Sequence, residues 1–468
     1  MTIFPFYPSS DEAILFSMNR EVLNVCRAVG EAGGRAIIVG GWVRDYLLGI
    51  ESKDFDIEVY GLEPRKLRAV LETIGQVNTV GEKFAVYKLA FKSQDGARFE
   101  IDVSIPRRES KTGRGHRAFF IEGDPLMTFE EAARRRDFTI NAILYDPLTN
   151  EIVDPFGGVR DLNERVLRAV AADTFIDDSL RVLRAVQFAA RFEMTVDPKT
   201  AELCRSIDLT DLPEERIWGE MDKLLTLADR PSIGLDLALA LGVLEQLFPE
   251  IRALAENESE NSPYVSAFDI TKRALDEAVK LAGGLPKQKR VTVMLACLCH
   301  ELGKPLRAIA GNEARSSTEA AVEQARSVIK RLGLRTIAGY DVRSQVLALV
   351  RERQKPLEFY RGRDTVSDGD FRRLAQRVDI DLLSRVAKAY ALARGTPPDG
   401  EEWFIESARA LGVEHGPPAP LLQGRHLIEA GIAPGPEMGA TLRRVYDLQL
   451  DGKVTTLEEA LRAALRIN

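Results

Sequence analysis

Two hydrophobic rhythms divide this chain, and between residues 31 and 160 they alternate. Residues 35–39 carry Ala, Ile, Ile and Val in succession, the pattern of a short buried strand. Trp42, Val43, Tyr46 and Leu47 follow at helical spacing. Over residues 54–60 the period drops to two, with Phe55, Ile57 and Val59 on one face and Asp54, Asp56 and Glu58 on the other. Residues 84–91 and 99–103 alternate in the same way, and Gln94-Asp95-Gly96 between them predicts a hairpin turn. A further strand is expected at residues 151–153, closed by the turn Asp154-Pro155-Phe156-Gly157-Gly158.

Helical periodicity dominates after residue 160, over residues 178–192, 214–228, 232–247, 267–281, 318–333 and 342–351. Residues 291–302 are apolar nearly all round, which fits a buried helix. A leading helix is expected within residues 1–30, with Ile14, Leu15, Val22, Leu23 and Val29 apolar, and a last one near residues 457–465. Residues 256–263 and 395–400 are polar, turn-rich joints. The pattern predicts an α+β fold: strands mixed with helices first, helices alone afterwards.

With 468 residues there is room for three or four domains with sizeable cores. A hydrophobic content of 45% and a charged content of 29% are those of an ordinary soluble globular protein. The formal net charge is -7, so binding to a polyanion would depend on local basic patches. Cys26, Cys204, Cys297 and Cys299 show neither zinc-type nor disulfide-framework spacing. No charged leader and no membrane-length apolar run is evident, so a cytoplasmic protein with no membrane partner is expected.

The chemistry concentrates in the first rhythm. Gly40 and Gly41 end the first strand with backbone free to turn tightly and approach a ligand closely. The next helix opens with unpaired N–H groups suited to phosphate oxygens, and Arg44 adds a planar fork of donors. Asp45 caps, accepts from Arg44 or meets a ribose hydroxyl. A Gly-Gly turn alone is often only a packing turn, but here an acidic face follows it. Asp54, Asp56 and Glu58 would set two or three like charges close together, which resist burial unless a cation lies between them. Magnesium accepts carboxylate and phosphate oxygens, and two such ions serve an attacking hydroxyl and a departing pyrophosphate. Asp102 is expected to complete the set, with Glu100 as the substitute. The basic run Arg107, Arg108, Lys111, Arg114, His116 and Arg117 reads as a mobile loop over a polyanion. A dinucleotide-binding reading fails, because no spaced third glycine precedes the helix.

Further along, Arg134, Arg135 and Arg136 crowd before Asp137 and Asn141, which share a face if the segment is helical. Asp178 and Arg181 are three apart, one offering acceptors and the other donors. Cytosine and adenine each present an amino donor beside a ring acceptor, so such a pair can match either base. The plainer reading is an intrahelical ion pair worth about 0.2–0.5 kcal/mol.

These residues closely resemble the bacterial tRNA nucleotidyltransferase and poly(A) polymerase family, of the polymerase-beta-like superfamily. The first signature, Gly-Gly-x-Val-Arg-Asp then Asp-x-Asp, is met by Gly40, Gly41, Val43, Arg44, Asp45, Asp54 and Asp56. The second, Arg-Arg-Asp-Phe-Thr-Ile-Asn-Ala, runs intact over residues 135–142. The third, Glu-Asp-x-x-Arg, appears as Asp177, Asp178 and Arg181, with Asp in place of Glu. Glu215-Arg216, with Glu220 and Lys223, is similar to the family's neck helix. The resemblance implies that Asp54 and Asp56, with Asp102, form the catalytic and metal-holding set. It implies nucleotide-binding roles for Gly40, Gly41, Arg44, Asp45, Arg136, Asp137, Asn141, Arg184, Glu215 and Arg216. Asp178 and Arg181 would be the protein template that reads the incoming base.

The resemblance further implies a polymerase-beta-like head at 1–160, an elongated helical neck at 161–260, a degenerate HD-like helical body at 261–395 and a tRNA-binding tail at 396–468. The body's usual metal doublet stands as His300-Glu301, and Gly311-Asn312-Glu313 replaces a later Gly-His-Glu. Four histidines cannot supply that module's ligands, so its phosphohydrolase chemistry is expected to be lost, with His300 capping or packing. Lys287, Lys289, Arg290, Arg351, Arg353, Lys355, Arg361, Arg363, Arg372 and Arg373 are candidates for a basic tRNA surface.

The activity so implied is addition of CCA to the tRNA 3′ end from CTP and ATP, with magnesium and no nucleic-acid template. A partial A-adding or CC-adding enzyme and a poly(A) polymerase share these motifs. A noncatalytic RNA-binding descendant is the rival from another class. No obligate protein partner is evident.

Overall fold

Strand β1 (Arg35–Val39) shows why its sequence is apolar without a break. Ile38 packs into one hydrophobic cluster, while Ile37 and Val39 pack into another on the opposite face. A strand covered on both faces carries no polar alternation. The structure, a computed structural model, describes residues 19–52, 54–79, 86–92, 98–111, 119–256, 266–304 and 317–467. Ile14, Leu15, the turn at 94–96 and most of the joint at 256–263 lie outside the described residues.

Around β1 the first unit builds one mixed sheet. Helix α1 (Arg20–Glu31) precedes β1, and α2 (Gly41–Leu47), β2 (Phe55–Tyr60) and α3 (Pro64–Glu72) follow. Then come β3 (Gln76–Thr79), β4 (Val86–Lys92), β5 (Arg98–Ser104) and a separate ribbon of β6 (Arg107–Lys111) and β7 (Phe119–Gly123). Helix α4 (Phe129–Arg134), a 3-10 turn at Thr139–Asn141, β8 (Leu144–Asp146) and β9 (Glu151–Val153) complete it. The strand order is β3-β4-β5-β2-β1-β8-β9, with β2 and β5 parallel and the other neighbours antiparallel. Val22, Val25 and Val29 of α1 and Leu67 and Leu71 of α3 cover one face, together with Phe55, Ile57, Ile101 and Val103. Met127, Ala132, Ala133 and Leu144 cover part of the other.

Past the sheet, α5 (Gly158–Asn163), β10 (Val166–Leu167), α6 (Ala172–Phe175), α7 (Leu180–Phe192), β11 (Thr195–Val196) and α8 (Pro198–Ser206) close the unit Met1–Leu212. The unit Pro213–Asn468 is helical among the described residues. Within it, Val291 to Cys299 are all buried along the helix Lys287–Cys299, as their apolar run predicts. A small separate core of Leu427, Val445, Ala460 and Ala464 holds the final helices together. No helix among the described residues is long and apolar enough to cross a membrane.

Three local expectations are corrected. Residues 232–247 form two helices, Pro231–Ala240 and Val243–Leu247, because Gly242 takes φ 76 and breaks the ladder. Asp137 and Asn141 do not lie on an α-helix: Phe138 is extended, bridges to Ala169, and is followed by the 3-10 turn. The basic segment from Arg107 is not wholly a loop, since its first part pairs as β6, while Arg114, His116 and Arg117 lie outside the described residues.

That 3-10 turn is clamped by α5. A Cβ at Gly158 would lie 2.1 Å from the Thr139 carbonyl oxygen. Asp154 accepts from the N–H groups of Gly158 and Val159, at 2.7 and 2.9 Å, so the helix start cannot retreat. Gly158→Ala is expected to destabilise the first unit by about 3 kcal/mol, the upper range for overpacking, read as a lowered thermal midpoint.

Candidate active site

Strand register assembles the acids. Asp56 on β2 stands directly opposite Asp102 on β5, and Asp54 lies two residues earlier on the same face. Asp54 and Asp56 are exposed and Asp102 half-buried. Partial burial raises the Asp56 carboxyl above its ordinary value; Arg136 opposes the shift, and the like charges of Asp102, Asp54 and Glu58 add to it. Lys88, opposite Asp102 on β4, bridges Asp102 at 3.2 Å and Glu100 at 3.5 Å. The set is therefore three oxygen-donor side chains from two adjacent strands, with Asp102 rather than Glu100 opposite Asp56.

Glu58 departs from the acidic face predicted for it. It is 2% exposed and accepts from Arg135 Nη2 at 2.6 Å, Arg136 Nη2 at 3.1 Å and the Tyr60 hydroxyl at 3.0 Å. Burial alone would raise its carboxyl, but Arg136 and Arg135 outweigh that and hold it below the usual range. The expected third carboxylate of β2 is thus an anchor for two guanidiniums, not an open ligand. Gly40 closes the far wall. Its φ of 76 and ψ of -140 suit glycine alone, and a Cβ there would lie 3.2 Å from Arg136 Nη1 and 3.4 Å from Asp56 Oδ2. Helix α2 starts at Gly41 without a side-chain cap on its first N–H groups.

Behind the turn runs a buried polar chain. Arg44 donates to Asp45 Oδ1 through Nε (2.8 Å) and Nη2 (2.6 Å), and to Asn141 Oδ1 through Nη1 (2.7 Å). Its guanidinium lies over Phe192 and Phe188, at 4.6 and 5.0 Å from the ring centroids. Burial lowers the Arg44 pKa, with Asp45 opposing. Asn141 donates to Asp137 Oδ1 at 2.9 Å, and Arg184 donates to Asp137 Oδ2 at 2.6 Å. Burial would raise the Asp137 carboxyl, yet Arg184 and the bonds from Asn141 and the Phe138 N–H hold it down. Arg44, Asp45, Asp137, Asn141 and Arg184 are therefore one connected group joining α2, the 3-10 turn and α7.

Asp178 stands in the turn ahead of α7, where its Oδ1 accepts from the Leu180 N–H at 3.1 Å. Arg181 donates to the carbonyls of Thr174 (2.8 Å) and Arg135 (2.5 Å). Unremarked in the sequence, Asp161 is fully buried and accepts from Thr139 Oγ1 at 2.8 Å and Arg168 Nε at 3.0 Å, while Arg168 also reaches Asp197 at 2.5 Å. This frame supports the 3-10 turn from below. Only the turn-forming glycines just before Asp161 signalled it.

Glu215 and Arg216 fall in the other unit, in the first turn of the helix Glu214–Leu227, with Glu215 exposed and Arg216 half-buried. Several cations proposed for an RNA surface are paired there: Lys287 with Asp222, Lys289 with Asp379, Lys355 with Glu358, and Arg373 with Asp451. His300 stacks on Tyr390 with centroids 3.8 Å apart, and Glu301 holds Arg394 at 2.5 Å and Lys304 at 2.9 Å. These residues line a cavity of about 1210 Å³ that also includes Arg353 and Tyr360. Gly311-Asn312-Glu313 lies outside the described residues.

Residues 36–168 match the family described as "Poly A polymerase head domain", and residues 193–254 match "Probable RNA and SrmB- binding site of polymerase A". The chain is 40% identical over 278 residues to the multifunctional CCA protein of Stenotrophomonas maltophilia (strain K279a), covering 58% of this chain and 64% of that protein. It is 35% identical over 281 residues to the multifunctional CCA protein of Xylella fastidiosa (strain 9a5c), covering 58% of this chain and 63% of the relative. The match thus spans a little under two thirds of these relatives' length. Among solved structures, the Thermotoga maritima CCA-adding enzyme complexed with tRNA aligns over 97% of both chains, with a TM-score of 0.61 and 21% identity. The Bacillus stearothermophilus CCA-adding enzyme in complex with CTP aligns over 96% of this chain and 98% of that one, with a TM-score of 0.63 and 20% identity. Identities that low establish the shared fold.

Burial lowers the His300 pKa from 6.5 to about 3; Glu301 opposes the shift, and Arg353, Arg394 and Lys304 add to it. The folded protein then keeps this ring neutral while the unfolded chain protonates it, so its contribution is complete above pH 6.5 and is lost as pH falls toward 3. His300→Phe, which preserves the stack on Tyr390, is expected to flatten the decline of the thermal midpoint over that window.

Proposed function

We propose, from the match of residues 36–168 to the poly A polymerase head family, that this chain is a tRNA nucleotidyltransferase. It adds CCA to the tRNA 3′ end from CTP and ATP without a nucleic-acid template. The observation that carries this reading is the Asp56–Asp102 register, set beside the bare turn at Gly40 and the Arg136 fork. The likeness to curated CCA proteins supports it.

Asp54, Asp56 and Asp102 offer only oxygen atoms, and Asp56 and Asp102 stand directly opposite one another on neighbouring strands. That fits magnesium, which these three residues would hold, two ions being the expected number. Bound there, it would supply positive charge toward an attacking hydroxyl and a departing pyrophosphate. The chain's own groups do the rest. Gly40 leaves the turn without a side chain, so a triphosphate can come close to backbone. Arg136 presents its fork beside the acids and orients a phosphate. Arg44, Asp45, Asp137, Asn141 and Arg184 hold turn and helix in fixed relation around the ribose. The tRNA 3′-hydroxyl gives up its proton to water as its oxygen bonds to the α-phosphorus, the bond from that phosphorus to the bridging oxygen breaks, and pyrophosphate leaves.

Base choice falls to Asp178 and Arg181, which offer an acceptor for the exocyclic amino group of cytosine or adenine and a donor for the adjacent ring nitrogen. Guanine and uracil present the reverse polarity and would leave buried groups unpaired, a loss of roughly 1–3 kcal/mol each. In this reading residues 1–160 are the catalytic head, 161–260 the neck that carries Glu215 and Arg216, 261–395 the HD-like body and 396–468 the tail on tRNA. The compartment is the cytoplasm.

The test supplies CTP and ATP, singly and together, to tRNA lacking all of CCA or only its last adenosine. Two cytidines followed by one adenosine are expected. Addition of cytidine alone, or of adenosine alone, makes it a partial enzyme, and long adenosine tails a poly(A) polymerase. Asp54→Ala with Asp56→Ala is expected to abolish incorporation and magnesium-dependent nucleotide binding while leaving the thermal midpoint nearly unchanged, since both side chains are exposed. RNA binding with no incorporation by the unaltered protein would replace the enzyme by a binding module.

A further inference from the structure

We propose that Glu58 is a positioning residue for both nucleotide binding and base choice: from under the acidic face it holds Arg136 at the triphosphate end and, through Arg135, fixes Arg181. The proposal rests on the nucleotidyltransferase reading of this site. A single buried oxygen, Glu58 Oε1, accepts from two consecutive arginines, at 2.6 Å from Arg135 and 3.1 Å from Arg136. Tyr60 holds the other oxygen at 3.0 Å, so the carboxylate cannot turn away.

The two arginines lead in different directions. Arg136 turns Nη1 toward Gly40 and Asp56, and its Nε is buried without a hydrogen-bond partner, a donor left for an anion. Arg135 is tied by its side chain to Glu58 and by its carbonyl oxygen to Arg181 Nη2, at 2.5 Å. A second carbonyl, from Thr174, holds Arg181 Nη1 at 2.8 Å. A guanidinium fixed by two carbonyls keeps its plane, and the position of one of them depends on Glu58. Strand β2 therefore carries the acids on its open end and, two residues on, the post that sets the cations around the same nucleotide. One carboxylate facing two guanidiniums leaves an excess of one positive charge, the complement of a phosphate.

Glu58→Gln keeps the shape and removes the charge. In full-length protein acting on tRNA lacking CCA, KM for CTP and ATP is expected to rise about tenfold with kcat within about threefold, because Asp54, Asp56 and Asp102 are untouched. The preference for CTP over UTP in kcat/KM is expected to fall about tenfold, and Glu58→Asp to restore part of both effects. Tyr60→Phe, which removes only one bond to Glu58, should shift both quantities in the same sense by less, and it decides the matter should Glu58→Gln not fold. Unchanged KM and base preference in a folded variant overturn the proposal. So does a kcat loss equal for all nucleotides that follows the folded fraction, the mark of a merely structural carboxylate. Titration of CTP and UTP with magnesium, followed by calorimetry, reads the same variants without turnover. If the unaltered protein binds CTP but extends no tRNA, the nucleotidyltransferase reading fails while the binding ratios still decide this one; if it binds neither nucleotide, both fall.

Discussion

The parallel pairing of β2 with β5 is the constraint on which the site depends. It sets Asp56 opposite Asp102 with Asp54 close by, three like charges that nothing in their own chemistry would gather. The opposite face supplies the reason they stay. Phe55, Ile57, Ile101 and Val103 are buried there, each worth roughly 1.5–3 kcal/mol. Repulsion between two charges 4 Å apart in water is about 1 kcal/mol. A slip of one residue would exchange the faces and send carboxylates into the core. Apolar burial therefore wins, and the acids are in place before any cation or nucleotide arrives.

Along the same strand the character of the face changes from open to closed. Asp54 and Asp56 meet solvent, whereas Glu58 is sealed under Arg135 and Arg136. Beside it, Arg44 bonds Asp45 and Asn141 at once and still lies over two phenylalanine rings. Arginine suits these positions because one planar group satisfies several acceptors and stacks on rings, where a lysine ammonium would leave a carboxylate short of donors. Arg44, Asn141, Asp137 and Arg184 thus fix one another in turn, from α2 through the 3-10 turn to α7.

Sequence patterning made the alternation of β2 and β5 and the double burial of β1 legible, because period and composition are local properties. The depth of a residue is not. Glu58 shares the face of Asp56, and period two says no more; the arginines that bury it lie 77 and 78 positions away. Asp161 and Arg168 went unnoticed for a like reason, since their value comes from Thr139 and Asp197 at separations of 22 and 29. Asp137 and Asn141 have helical spacing, but Phe138 pairs outward with Ala169 and forces a tighter turn. Ion pairing is equally non-local: among the cations expected on an RNA surface, Lys287, Lys289 and Arg373 each meet a carboxylate on another helix or turn.

Buried ion pairs are weak contributors to stability, since matched apolar residues often serve as well or better by 1–4 kcal/mol. The first unit has ample apolar burial on both faces of β1 without them. Yet Arg44, Asp45, Glu58 and Asp137 are all buried, and their bonds converge on the turn at Gly40 and the start of α7. An apolar replacement could fill those spaces but could not fix a guanidinium at a chosen angle beside Asp56. Breaking one partner, by contrast, strands a buried charge at a cost of about 3–5 kcal/mol. The arrangement therefore makes sense as orientation held rigidly rather than as stability added, and it places that rigidity where a nucleotide's phosphate, sugar and base would have to be told apart.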